Sequence, residues 1–465
     1  MRKGQKNSAN SFVGRVDAVK EIEEVLVSSD RDEGRLAVQS IEGSGCIGKS
    51  YLLDHVMRTT DLHSLNYLTL RLNGNDQSAS YVDSAVSHMV NNASAIPITK
   101  NPGGHFPKVA EVISTIGEIR TKAADEIRKK YPNVQEASKV SERYLNLFLN
   151  VGEAADIKIP GTKLGVRELK KLASENQEAL ESLRQEALGF WESLSEWFGS
   201  TAKRNAVKEN ARRELSKALV SDISSLLVGY KTKDILKPGR GKLKGVKRLL
   251  LILDDYEYLQ NSLGEFLVSS FLPALQQASF ESTVVILGRD QLPATNPAWD
   301  QNLKTALLPP IVLSPLSRQE MDELVEVYGV TDPTEKERAW RDTEGYPLNV
   351  EFWIEETKSG GRSALMLRRF YERQTRWMTE QERAWLEHVQ FLDTVNKRTL
   401  QKMLGSSEEA DLVMEWFKRE GSVRDTTALT FQVREYVRSR LIDYLKLTDP
   451  DRYDALRLKA QAQTD

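Results

Sequence analysis

The chain has a single cysteine, Cys46, so no intrachain disulfide can form, and a reducing compartment is the fitting one. No run of ~18 apolar residues occurs, so no membrane-spanning helix is expected. The opening MRKGQKNSANSFVGR has no apolar segment behind its basic residues, so no signal peptide is expected either. Charge of one sign is also missing. The formal net charge is −2, no global field draws the molecule to nucleic acid or anionic lipid, and any basic site must be local. No repeat of fixed period is visible, which argues against a solenoid. The expected location is the cytoplasm, without membrane association.

What is present is ordinary globular composition, 40% hydrophobic and 28% charged over 465 residues, enough for roughly three domains at ~150 residues each. The informative stretch is IEGSGCIGKS, residues 41 to 50. Gly43, Gly48, Lys49 and Ser50 form G-x-x-x-x-G-K-S, with a strand expected before it (RLAVQSIEG) and a helix after it (YLLDHVMRTT). Glycines let the backbone curl so that its N–H groups face phosphate oxygens, and the helix adds its positive end. Ser44, Gly45, Cys46 and Ile47 supply the rest of that curl, and Tyr51 follows it. Lys49 is placed for the β and γ phosphates, and Ser50 for Mg²⁺. Cys46 matters more through its N–H than its sulfur, with a redox role as the less favoured reading.

A second motif, LLLILDDYEYL, reads as a central parallel strand ending in carboxylates. Asp254 suits the metal through water, Asp255 is placed to polarise an attacking water, and Glu257 is a weaker candidate for the same task. A third strand, STVVILGRD, ends near Arg289, a candidate sensor of a γ phosphate. The catalytic candidates are therefore Lys49, Asp254, Asp255 and Arg289. The metal candidates are Ser50 and Asp254.

Between these motifs, residues 76–245 read as mostly helical. Leu169 to Phe198 follows three-four spacing over about four heptads, interrupted by Asn176. It is an interaction helix or, more simply, part of the insertion's own core, where Trp191 and Trp197 also belong. Residues 231–248 hold eight Lys or Arg and one Asp. That is a solvated basic loop or a phosphate-tracking one. It lacks interleaved aromatics for stacking on bases. Toward the C-terminus short helices and an apparent hairpin, REGSVRDTTALTFQVRE, are expected.

Taken together, these residues resemble the STAND class of P-loop ATPases, signal-transduction relatives of AAA+ proteins. Phe12-Val13-Gly14-Arg15 looks like that class's lead-in motif beside the adenine. GSGCIGKS looks like its phosphate loop, LLLILDD its magnesium strand, and ILGR its sensor strand. LSPLSRQEMDEL with Gly345-Tyr-Pro347-Leu348 looks like its helical lid, whose proline faces the base. Residues from TEQERAWLEHVQFLD to FQVREYVRSRL look like its winged helix.

The resemblance implies an α/β fold: a P-loop parallel sheet with a large helical insertion, then a lid and a winged helix. It implies an ATPase core in 1–75 and 246–312, an insertion in 76–245, a lid in 313–362, a winged helix in 363–447 and a tail in 448–465. It implies ATP or ADP with Mg²⁺ as cofactors, with Val13, Gly14, Arg15, Tyr51 and Pro347 at the nucleotide. Adenine is implied by the resemblance alone. One departure is the absence of histidine from Leu429–Glu435, where the class often contacts ADP.

The function implied is a slowly hydrolysing nucleotide switch that changes conformation or oligomeric state. Homo-oligomers and separate effector or sensor proteins are the implied partners, with a bacterial defence setting plausible by resemblance. The alternative is an initiator-like ATP-dependent DNA-binding protein using the winged helix, with Arg434, Arg438 and Arg440 on its last helix, and the basic loop.

Overall fold

A computed structural model describes residues 12–28, 36–60, 67–76, 82–95, 106–130, 202–227, 248–425 and 428–462. The Leu169–Phe198 heptads, Trp191, Trp197 and most of the basic segment 231–248 lie outside these residues.

Six strands form one sheet: β1 Leu36–Glu42, β2 Tyr67–Asn73, β3 Ser94–Ala95, β4 Arg248–Asp254, β5 Glu281–Gly288 and β6 Ile311–Val312. Their order is β3-β2-β4-β5-β1-β6. All neighbours are parallel except β3, which runs antiparallel to β2. The strands are continuous apolar runs because both faces are covered. Leu249, Leu251 and Leu253 enter one core, while Leu250 and Ile252 enter the opposite one with Ile41, Val285 and Leu287. The second face is roofed by α1 (Val16–Val27) and α2 (Lys49–Thr59).

The first face is roofed by α3 (Val82–Asn91), α4 (Pro107–Lys130) and α5 (Ala202–Leu227), all from the segment read as an insertion. That reading needs amending in two ways. The segment contributes a strand, β3, and its described ends share the sheet's own core through Val86, Val109, Leu219 and Ile223. The Asp222 carboxylate on α5 accepts the backbone N–H groups of Lys108 and Val109 at 2.9 and 3.0 Å. The free amides that open α4 are thus satisfied from 113 residues away.

After β4 come α6 (Tyr256–Phe266), a π-helical turn, and α7 (Leu272–Gln276). After β5 come α8 (Leu292–Thr295) and α9 (Ala298–Leu303). Beyond β6, one apolar core runs from Leu316 to Leu456. It joins α10 (Arg318–Val327), α11 (Pro333–Thr343) and α12 (Pro347–Ser359) to α13 (Ala364–Thr375), α14 (Glu380–Val389), α15 (Lys397–Leu404), α16 (Ser407–Arg419), α17 (Glu435–Thr448) and α18 (Pro450–Gln461).

The expected hairpin is reduced to a single bridge, Arg424 to Val433, with Val395 N–H donating to the carbonyl of Phe431 at 2.7 Å. The bridge is closed by Arg434 N–H donating to the carbonyl of Val423 and Asp425 N–H donating to that of Gln432, both at 2.9 Å, while the buried Glu420 and Arg434 side chains make other contacts. The segment read as a tail holds α18, anchored by Leu456. The architecture is an α/β P-loop sheet followed by a helical C-terminal part.

Candidate functional site

In the sheet register Glu42 pairs Gly288, and Asn73 pairs Asp254, so the carboxyl ends of β1, β2, β4 and β5 form one rim. Such a rim is where open parallel sheets bind ligands. β1 and β4 are separated by β5, about 10 Å apart by strand spacing. The loop leaving β1 crosses that gap. Ser50 Oγ then donates to Asp254 Oδ1 at 2.9 Å.

The loop's turn depends on positive φ at Cys46 (63°) and Gly48 (92°). At Gly43, a Cβ would lie 2.9 Å from the carbonyl of Leu313. Lys49 folds back and donates to the carbonyls of Gly43 and Ser44 at 2.7 and 3.1 Å. Burial pulls its ammonium down from the usual lysine range, with Glu257 opposing. A buried cation above a curl of backbone amides suits a phosphate. Burial pushes the Cys46 thiol up to about 12, so it stays protonated and unreactive at neutral pH.

Asp254, 2% exposed, is fully engaged. Oδ1 also accepts the Asp255 N–H at 3.0 Å, and Oδ2 accepts from Arg71 Nη2 at 3.2 Å. Ser50 and Asp254 supply the hard oxygens that Mg²⁺ prefers. Among the described residues no group of three or more His, Cys, Asp or Glu could hold a metal by itself. A divalent ion here would need phosphate oxygens and water to complete its shell.

The lead-in motif reaches the same loop from below. Gly14 and Arg15 both take positive φ, at 73° and 56°. Arg15 Nη2 donates to the carbonyls of Ile47 at 2.5 Å and Ser314 at 3.2 Å. Its backbone N–H donates to Glu320 Oε1 at 2.6 Å, while Glu320 Oε2 accepts from Ser317 N and completes the capping box of α10. Val13 is half-buried in this lead-in. Phe12 stacks on His55 at 3.9 Å and on Tyr51 at 5.7 Å, leaving Tyr51 nearly half exposed. Pro347, first residue of α12, has its ring 3.8 Å from where a Gly48 Cβ would be.

The opposite side of the loop is covered by the C-terminal helices. A Cβ on Gly45 would lie 2.4 Å from the Trp377 ring, and one on Gly421 would lie 3.6 Å from Ser44 Cβ. The Tyr346 hydroxyl donates to the carbonyl of Gly421 at 3.0 Å. Arg289 does not point into an open cleft. Its Nη2 donates to Glu420 Oε2 at 2.7 Å beside the Trp377 ring, and Trp377 Nε1 donates to the same oxygen at 3.3 Å.

Asp255, with φ of 51°, is held by Arg376 Nη2 at 3.0 and 3.3 Å and by Asn75. Burial raises its pKa and Arg376 opposes this. Glu257 keeps a buried Oε2 without a hydrogen-bond partner, and burial raises its pKa against the pull of Lys49.

The structure therefore gathers Lys49, Ser50, Asp254, Asp255 and Arg289 at one rim, with Gly14, Arg15 and Pro347 beside the loop. Sequence reasoning missed Arg71, Asn75, Glu320, Arg376, Trp377 and Glu420. The one available signal was that Arg71 is a lone charge within an apolar strand. Of the three arginines expected on a DNA-binding helix, Arg434 and Arg440 are 0% and 3% exposed. Arg438 is paired to Asp393 at 2.9 Å, so these three offer no open basic surface.

No protein-family model and no curated protein matches the chain. Among solved structures, it is similar to a STAND protein with a tetratricopeptide repeat sensor from Pyrococcus horikoshii. The identity is 12% and the TM-score 0.29, covering 98% of this chain and 48% of the other, so the chain spans about half of that protein. It is similar to a Walker-type ATPase of Pyrococcus abyssi, at 12% identity and TM-score 0.42, covering 92% and 96%. It is similar to the Aeropyrum pernix ORC1 protein in complex with DNA, at 11% identity and TM-score 0.40, covering 96% and 95%. Superpositions this loose carry no functional argument, and the reading below rests on the chain's own geometry.

Proposed function

We propose that the chain is an ATP-binding, slowly hydrolysing switch of the STAND type, held closed by its own C-terminal helices. The supporting observation is the cover on the phosphate loop. Trp377 lies on Gly45 while Arg376 and Glu420 hold the two charged residues proposed for chemistry, Asp255 and Arg289. A mere scaffold has no reason to spend its catalytic charges on a neighbouring unit.

In this reading Lys49 leaves the carbonyls of Gly43 and Ser44 for the β and γ phosphates. Ser50 and Asp254 hold Mg²⁺, which when bound neutralises phosphate charge. Asp255 orients the attacking water. Arg289 exchanges the carboxylate of Glu420 for the γ phosphate, an anion-for-anion trade. Adenine lies between the Phe12–Arg15 lead-in and Pro347. ADP, lacking the γ phosphate, leaves Glu420 on Arg289 and the cover shut. The opened form assembles with copies of itself or with effector proteins. To move such an equilibrium from 1:99 to 99:1 the ligand must prefer one state by ~5.5 kcal/mol.

Light scattering on wild type and Lys49→Ala, with ADP, with a non-hydrolysable ATP analogue and with DNA, tests this. A rise in mass with the ATP analogue alone, absent in Lys49→Ala, is expected. A shift only on DNA overturns the switch and favours a DNA-handling ATPase.

A further inference from the structure

The side chain that most directly faces the Ser50–Asp254 pair belongs to none of the motifs. Arg71 is the exposed residue of an otherwise buried β2. Leu70 and Leu72 turn into the first core, so Arg71 faces the layer of α2. On α2, Ser50 and Asp54 are four residues apart and share a face. The guanidinium therefore spans two carboxylates. Nη1 donates to Asp54 Oδ1 at 2.8 Å, and Nη2 donates to Asp254 Oδ2 at 3.2 Å. The two carboxylates differ. Asp254 is 2% exposed and tied to Ser50, whereas the side chains of Asp54 and Arg71 are 46% and 41% exposed.

We propose that Arg71 sets the divalent-cation affinity of this site, as the counter-charge that Asp254 carries when no metal is bound. Asp54 is the alternative seat that takes the guanidinium when a metal–nucleotide complex claims Asp254. This inference rests on the nucleotide-site reading above. Its physical basis is simple. A fixed positive charge at hydrogen-bond distance from the carboxylate serving a dication must weaken that dication's binding unless it moves. A fork already bonded to a second, more exposed carboxylate can move by pivoting about that bond. Nucleotide and metal are thereby separated. Phosphates gain from a nearby guanidinium, whereas Mg²⁺ must displace it, so metal arrival becomes a distinct step.

The test uses the full chain with ADP and Mn²⁺ as the probe, free Mn²⁺ being read by its paramagnetic resonance signal. Arg71→Met is expected to bind Mn²⁺ roughly fivefold more tightly than wild type. Asp54→Asn is expected to bind it several-fold more weakly, because Arg71 then rests on Asp254 alone. In Arg71→Met/Asp54→Asn the second change is expected to add little, since Asp54 acts through Arg71. Arg71→Lys, which keeps the charge without the fork, is expected near wild type and serves if the methionine variant does not fold. Unchanged or weakened Mn²⁺ binding in Arg71→Met overturns the proposal, as do fully additive effects in the double variant or, if that comparison rests on lysine, no difference between Arg71→Lys and Asp54→Asn. ADP binding that persists while metal affinity ignores Arg71 overturns this inference alone. Failure of wild type to bind ADP at all overturns the nucleotide-site reading and this proposal with it.

Discussion

The phosphate loop lies between two walls of different origin. One is the rim of the sheet: Asp254 and Asp255 from β4, Arg289 after β5, and Arg71 from β2. The other is the C-terminal cover: Trp377 and Arg376 just after α13, and Glu420 and Gly421 just after α16. The rim is built by strand register, which fixes every residue once the strands pair. The cover is built by single side chains meeting across more than a hundred positions of sequence, Arg289 to Glu420 and Asp255 to Arg376. The difference suggests a rim that is permanent and a cover that is conditional. Its pairs are charge–charge contacts a phosphate could contest, whereas the rim hangs on strands that are buried along most of their length.

The largest expected effect breaks the loop that both walls enclose. Lys49→Ala removes the buried ammonium and should weaken ADP binding at least ~100-fold by calorimetry. It should leave the fold intact, because Lys49 bonds only to loop carbonyls. The next breaks the cover from the rim's side. In Gly45→Ala the added methyl meets the Trp377 ring, an overpacking of about 1–3 kcal/mol, and amide exchange over 373–378 should speed up accordingly.

Glu420→Gln leaves Arg289 without its anion, should cost about 3 kcal/mol of closed-state stability, and should raise ATP turnover in a steady-state assay. A variant as quiet and as stable as wild type would show that the pair does not restrain the site. Arg376→Ala sharpens the contrast. That side chain is nearly half exposed, so its loss should change the unfolding free energy by at most ~1 kcal/mol in a denaturant titration while freeing Asp255.

The smallest effect is a pH signature. Burial raises the Glu257 carboxyl above its usual range. A carboxyl whose pKa is higher folded than unfolded holds its proton more firmly in the folded state, so stability falls as pH rises through that window. Glu257→Gln should therefore raise the melting temperature at pH 7 and leave it unchanged near pH 3, where the native carboxyl is protonated in both states.

What could be read from sequence follows the same division. IEGSGCIGKS and LLLILDD are local, so strand, turn, helix and acid are written within a dozen residues, and both motifs fell on the expected elements. Strand β3 was hidden because Ser94–Ala95 is two residues long and has no periodicity to detect. The hairpin is found as one antiparallel bridge among the described residues, since apolar alternation around Thr430 suits a bridge as well as a strand. Glu320 was invisible as a site residue because its sequence neighbours explain it fully as a helix cap. Only in three dimensions does its other oxygen hold the N–H of Arg15. Trp377 and Arg376 belong to no motif and Glu420 was read only as the start of a hairpin, since what they recognise lies in a different part of the chain.

The contact between Asp222 and the amides of Lys108 and Val109 has a consequence for how such a chain can change over time. It staples the start of α4 to the end of α5, so the polypeptide departs from the sheet and comes back along one antiparallel pair of helices whose bases are joined. A change of sequence length between Lys130 and Ala202 then acts as a graft on these two described helices. Lengthening a graft is thermodynamically mild, on the order of 0.6 kcal/mol for each doubling of the closed loop. A lineage could exchange that stretch of sequence for another, so long as the stem keeps the Asp222 carboxylate on the amides of Lys108 and Val109.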